Sequence, residues 1–133
     1  MIEGVIFDAD GTLLDSTAMW SEVGARFLKW LRIEAEEDLG RKMFPLSLIE
    51  SAGYLKAAYH LPWSEREIMD GINKTVLCFY RDEVMPKPGV HVVLSALKER
   101  RIPMTVATAT DHGVIEEGMR RCGILSYFDA VVT

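Results

Sequence analysis

At 133 residues, with 49% hydrophobic residues and a mean hydropathy of +0.08, the chain is sized for one domain with a small insertion and carries enough apolar surface for a core. A formal charge of -5, from 20 acidic against 15 basic residues with no basic block, argues against nucleic acid as a partner. Cys78 and Cys122 make no metal-ligand spacing and read as buried free thiols. Met1-Ile2-Glu3-Gly4 runs straight into the first apolar segment and no stretch has membrane-span length, so a cytoplasmic protein with no membrane partner is expected.

Val5-Ile6-Phe7 reads as a strand that can be buried on both faces of a parallel sheet, and the chain leaves that sheet at Asp8-Ala9-Asp10-Gly11-Thr12. Asp15-Ser16-Thr17 is a cap-forming cluster ahead of an amphipathic helix over residues 17–33, with Trp20, Val23, Phe27, Trp30 and Leu31 inward. One or two further helices fit residues 35–60, with Gly40, Pro45 and Gly53 as breaks and Leu48, Ile49, Leu55 and Tyr59 buried. Ser64 and Glu67 fit a capping box, with Trp63 and Ile68 as its hydrophobic staple; the helix they start keeps Ile68, Ile72, Val76 and Phe79 on one face to about Tyr80.

Pro86-Lys87-Pro88-Gly89 marks a boundary, after which the pattern changes. Residues 90–101 read as a helix with Val93, Leu94 and Leu97 inward, 104–108 as a strand, 114–122 as a helix closed by Gly123, and 130–132 as the start of another strand. The alternation predicts an α/β fold with parallel strands and right-handed crossovers. Residues 16–85 are too long for one crossover and read as an inserted helical cap on a core made of residues 1–15 and 86–133. Such a cap is suited to cover the aspartates and exclude water.

Ligands of open α/β sheets bind outside the carboxyl ends of the strands, which is where Asp8 and Asp10 stand. A calcium loop does not fit, because its sixth position wants glycine and holds Leu13, and a helix rather than a strand should precede it. A phospho-acceptor receiver domain would carry its acceptor on a later strand, and solvated surface carboxylates are a poor match to a strand end followed by Gly-Thr. Magnesium-assisted phosphoryl transfer explains the spacing: one aspartate attacks phosphorus, and a second, two residues on, protonates the leaving oxygen and later activates water. Gly11 allows a sharp turn and Thr12 adds a hydroxyl donor. Thr108, with Ala109 and Thr110 after it, places a hydroxyl and backbone N–H groups at a second strand end, where they can bind phosphoryl oxygens.

Asp8-x-Asp10-Gly11-Thr12 after an apolar strand, the helical insertion, Pro88-Gly89, the strand ending at Thr108 and Phe128-Asp129-Ala130-Val131-Val132 together resemble the haloacid dehalogenase superfamily of phosphohydrolases. The likeness is to members with a helical cap, which include phosphoglycolate phosphatases and β-phosphoglucomutases. It implies a HAD-like, Rossmann-like parallel sheet, of which this chain holds the first three core strands. It also implies Asp8 as nucleophile, Asp10 as general acid/base, Mg²⁺ on the Asp8 carboxylate and the Asp10 backbone carbonyl, and Thr108 on the phosphoryl group of a small phosphorylated metabolite. Asp111 and His112 fall in the loop that helps hold substrate in sugar-phosphate members, and some relatives reach substrate phosphate with a cap arginine, for which Arg41 and Lys42 are the candidates; Lys87 is a further one.

Family members also carry a lysine soon after the third strand and an acidic pair after a fourth; neither falls within residues 1–133. The resemblance therefore implies an enzyme lineage but little activity in this stretch alone, with a non-catalytic module for assembly or regulation as the alternative. In the family's sheet the first strand is central, so here it becomes an edge that invites self-association or a missing C-terminal segment.

Overall fold

A computed structural model describes residues 1–133 and divides them into two compact units, one of residues 1–17 with 78–133, the other of residues 18–77. The first unit is built on three parallel strands in the order β1-β2-β3: β1 Val5–Phe7, β2 Met104–Ala107 and β3 Ala130–Val132. Val5 pairs with Met104 and Phe7 with Val106, while Thr105 pairs with Ala130 and Ala107 with Val132. Between the last two strands lie a helix, His112–Arg121, and a 3-10 turn, Leu125–Tyr127. The parallel α/β architecture expected from the sequence is the one observed.

Side chains alternate along strands, so the register sorts this sheet into two unlike faces. Val5, Phe7, Met104, Val106 and Val131 share a face; Met104 and Val106 are fully buried, and Phe7 meets Phe128 edge-on at 5.9 Å between centroids. Leu94, Ile115, Met119 and Ile124, all without exposure, complete this core. The other face carries Ile6, Thr105, Ala107, Ala130 and Val132, with Ile6 75% and Val132 55% exposed. Burial of β1 on both faces, expected from its composition, is therefore not found: its second face, at Ile6, stays exposed.

The helices in chain order are α1 Thr17–Trp30, α2 Leu39–Met43, α3 Leu48–Ala58, α4 Glu65–Asp82, α5 Val90–Glu99 and α6 His112–Arg121. In the second unit Phe27, Leu28, Leu39, Met43, Ala52, Leu55, Leu61, Ile68 and Ile72 form one apolar core. The inward stripe of α1 is rotated from Trp20 and Trp30, which are 41% and 54% exposed, toward Gly24, Phe27 and Leu28. The cause is a close approach: a Cβ on Gly24 would stand 2.4 Å from Met43 Sδ, so α2 packs on the glycine side of α1. On α3 the stripe is Leu48, Ala52, Leu55 and Tyr59, which leaves Ile49 one position off it and exposed. Val93 is likewise exposed on α5, where Val90 and Leu94 are the buried positions.

The expected capping box forms at α4, where Ser64 Oγ accepts from Glu67 N–H at 3.1 Å and Glu67 Oε2 accepts from Ser64 N–H at 2.8 Å. Ser47 and Glu50 make the same reciprocal pair at α3. Chain contacts return to the first unit at Cys78, before the Pro86 boundary suggested by the sequence, with Phe79 and Tyr80 at the end of α4 and Val84 just after it buried. Cys78 and Cys122 are half-buried free thiols, and burial pushes the Cys122 thiol up from its ordinary range. No helix is long and apolar enough to cross a membrane.

Candidate active site

The chain turns back on itself directly after β1. Ala9, fully buried, presents one carbonyl to the N–H groups of Thr12, Leu13 and Leu14 at 3.2, 2.9 and 3.0 Å, and Gly11 donates to the Leu14 carbonyl at 2.9 Å. Gly11 sits at φ +78°, a left-handed conformation open to glycine at little cost, and a Cβ there would also stand 3.0 Å from Thr17 Oγ1. Asp15 N–H donates to the Met85 carbonyl and Lys87 N–H to the Leu13 carbonyl, both at 2.8 Å, so residues 85–87 brace the loop from outside. The buried Leu13 and Leu14 fix this turn while Asp8, Gly11 and Thr12 stay exposed at the strand end.

Asp10 is the best-held side chain in the site. Ser16 Oγ donates to its Oδ1 at 2.6 Å, Thr110 Oγ1 donates to its Oδ2 at 2.6 Å, and the Tyr80 hydroxyl donates to Oδ1 as well. Ser16 and Tyr80 are both fully buried. Ser16, which directly precedes α1 in the cap-like Asp15-Ser16-Thr17 cluster, thus gives its hydroxyl hydrogen to Asp10. Asp8, by contrast, receives only a long 3.5 Å contact from Thr12 Oγ1.

The second strand end is a tight hydroxyl turn. Thr108 N–H donates to the Val132 carbonyl at 3.0 Å, Thr108 Oγ1 accepts from Thr110 N–H at 3.1 Å, and Asp111 Oδ1 accepts from Gly113 and Val114 N–H at 3.0 and 3.4 Å. Asp111 is thus the N-cap of α6, which starts the helix at His112, two residues earlier than the apolar spacing from Val114 suggests. His112 Nε2 lies 3.2 Å from Glu116 Oε1 on the same helix.

The structure brings Asp10 and Thr110 into contact across 100 positions of sequence, with Asp8 and Thr108 at the ends of paired strands beside them. Lys87 and Thr12 line one cleft of about 250 Å³ with Phe7, Leu13 and Val93. Arg41 and Lys42 lie in the other unit: Arg41 is exposed, and Lys42 is committed to Glu36 at 2.8 Å and Asp38 at 3.5 Å. The Lys42 hydrogen bond, with that of Tyr54, holds the Glu36 carboxyl below the usual carboxylate range. Sequence reasoning misses Ser16 and Tyr80 as partners of Asp10. The serine's only signal is its place in a cap-like cluster, and Tyr80 has none beyond its position at the end of an apolar stripe.

No group of three or more His, Cys, Asp or Glu side chains is placed to hold a metal ion. The hard oxygen donors at Asp8 and Asp10 nevertheless fit Mg²⁺, which commonly takes one or two carboxylates and keeps several waters.

A sequence model of the haloacid dehalogenase-like hydrolases matches residues 5–133. A phosphorylated carbohydrates phosphatase from Thermotoga maritima is 28% identical over 131 residues, covering 98% of this chain and 61% of the relative. A phosphoglycolate phosphatase from Neisseria meningitidis is 26% identical, covering 98% of this chain and 58% of the relative. Among solved structures, a protein provisionally named β-phosphoglucomutase from Thermotoga maritima superposes with a TM-score of 0.86 at 27% identity, covering 98% of this chain and 61% of that one. The chain thus spans about 60% of the length of the relatives it matches.

Proposed function

We propose that this chain, which belongs to the haloacid dehalogenase-like hydrolase family, carries the nucleophile and acid/base half of an active site that removes or moves the phosphoryl group of a small phosphorylated carbohydrate. The observation that carries the reading is the Asp10 to Thr110 hydrogen bond, which joins the loop after β1 to the loop after β2. That juxtaposition sets an exposed carboxylate, a restrained carboxylate and a hydroxyl turn at one end of the sheet. The names borne by the relatives, a phosphorylated carbohydrates phosphatase among them, support the substrate class.

In this reading an Asp8 carboxylate oxygen attacks phosphorus, forming the aspartyl-phosphate bond as the bond to the leaving oxygen breaks. Asp10 gives that oxygen its proton, then takes one from water as the water oxygen attacks phosphorus and frees Asp8 with inorganic phosphate. In a mutase a second sugar hydroxyl stands in the place of water. Thr108 accepts from Thr110 N–H and keeps its own hydroxyl hydrogen for a phosphoryl oxygen. Gly11 lets the backbone turn beneath the group, and Thr12 and the Ala109 N–H face it from either loop. Mg²⁺ on the Asp8 carboxylate and the Asp10 backbone carbonyl would supply the positive charge that offsets repulsion between nucleophile and phosphate.

No observation favours the alternative of a non-catalytic module. The test is Asp8→Asn in the intact protein with glucose 6-phosphate as probe. Phosphate release is expected to fall by at least about a thousandfold, as for loss of an attacking group; release at the wild-type rate would refute the assignment.

A further inference from the structure

The second unit holds a cavity of about 300 Å³, walled by α1, α2 and the chain from Phe44 to Ser51. Its walls are apolar: Trp20, Met43, Phe44, Leu46 and Leu48 line it, and no charged side chain does. Phe44 is 87% exposed and Trp20 41%, so two aromatic side chains of the lining stay uncovered. The walls are preformed, because α2 is clamped on α1: a Cβ on Gly24 would stand 2.4 Å from Met43 Sδ, and one on Gly40 2.3 Å from the Ser21 carbonyl oxygen. Two hydroxyl groups belong to the lining. Ser21 Oγ donates to the Ala18 carbonyl at 2.8 Å. Ser51 is only 6% exposed, yet its hydroxyl has no hydrogen-bond partner in the chain and is not sealed from the cavity. Thr75, similarly buried on α4, turns its hydroxyl back to the Gly71 carbonyl at 2.8 Å, and Ser51 makes no such bond.

We propose that this cavity binds an uncharged aromatic group of about two fused rings, carrying one hydrogen-bonding atom that meets Ser51. An apolar cavity of about 150 Å³ takes benzene, so twice that volume suits two rings. Trp20 and Phe44 supply faces and edges for ring contacts. An anionic group is excluded because nothing cationic lines the cavity: Lys42 is committed to Glu36 and Asp38, and Arg41 lines a different hollow with Glu22 and Glu37. A sugar is excluded as well, since its several hydroxyls would leave water for a wall with one open hydroxyl. The inference does not rest on the phosphoryl-transfer reading.

The test is titration of the intact, isotope-labelled protein with 2-naphthol, followed by the methyl shifts of Met43, Leu46 and Leu48. Saturable ring-current shifts are expected, with Kd below about 1 mM. Ser51→Ala, which deletes only an oxygen, is expected to raise Kd for 2-naphthol about three- to tenfold and to leave that for naphthalene unchanged. Phe44→Ala, at a position exposed enough to spare the fold, is expected to raise Kd for both by about three- to tenfold. Such a group can be a free ligand or the organic half of a phosphorylated molecule, and 2-naphthylmethylphosphonate separates the two. Tighter binding by the phosphonate marks the second source and tighter binding by 2-naphthol the first, each with the same methyl groups shifted. Shifts that do not saturate, or Ser51→Ala and Phe44→Ala proteins that bind as wild type does, would overturn the inference. So would methyl shifts that follow protein concentration in place of 2-naphthol, which would give the cavity to a second copy of the chain.

Discussion

Replacing Gly118 by alanine tests whether α6 truly packs against Tyr80 as closely as the Asp10 cradle requires. In an exposed helix interior the change would stabilise by up to about 1 kcal/mol through helix propensity. Here the new Cβ would meet Tyr80 Cδ1 at 2.7 Å and Val84 Cγ1 at 3.4 Å, against an ordinary carbon contact of about 3.5–4.0 Å. The ring must move by roughly 1 Å, in a site where Tyr80 has no exposed surface to move into. Overpacking of this kind costs about 1–3 kcal/mol, so the net effect is a loss of about 1 kcal/mol, or roughly 0.5 M in the urea midpoint followed by far-UV circular dichroism. Gly53→Ala is the control, because its Cβ on α3 would meet Glu65 Oε1 at an ordinary 3.5 Å, and it should stabilise by a few tenths of a kcal/mol. A Gly118→Ala protein as stable as wild type would refute the packing argument.

Ser64→Ala removes one half of the α4 capping box and should cost about 1 kcal/mol in urea unfolding monitored by tryptophan fluorescence; the tryptophans, at positions 20, 30 and 63, all report on the second unit. The Glu36 carboxyl is depressed in the folded state by Lys42 and Tyr54, so its contribution is fully present above the ordinary carboxylate range and is lost as pH falls from there through its own lower folded value. The stability difference between wild type and Glu36→Gln is therefore expected at pH 7 and to shrink steadily as the pH is lowered through and below the ordinary carboxylate range, with added salt reducing it, as measured by thermal melts. The open face and free edge of β1, with Ile6 75% exposed, predict concentration-dependent association in light scattering that Ile6→Lys reduces.

The fold was legible where local chemistry and tertiary packing agree. Val5-Ile6-Phe7, the Ser64–Glu67 box and Gly123 are signals whose cause is local, and each stands in its expected place. The Ser47–Glu50 box carries the same signature on α3 and was equally readable. Stripes were less legible, since Trp20, Ile49 and Val93 fit a helical period but a glycine contact or the neighbouring stripe decides which side is covered. In the site, Asp8, Asp10 and Thr108 announce themselves by position at strand ends, whereas Ser16 and Tyr80 do not. Their role is created only when α4 returns to the sheet, a long-range event that leaves no mark on spacing.

The central claim, that Asp8 accepts a phosphoryl group, is tested most directly by acid-quenching the intact protein during turnover of a sugar phosphate and mapping the peptide that holds Asp8 by mass spectrometry. The account predicts a phosphoryl adduct on Asp8 that disappears in Asp8→Asn and that, once formed in Asp10→Asn, decays more slowly than in wild type. Steady turnover with no adduct on that peptide under either condition would contradict it.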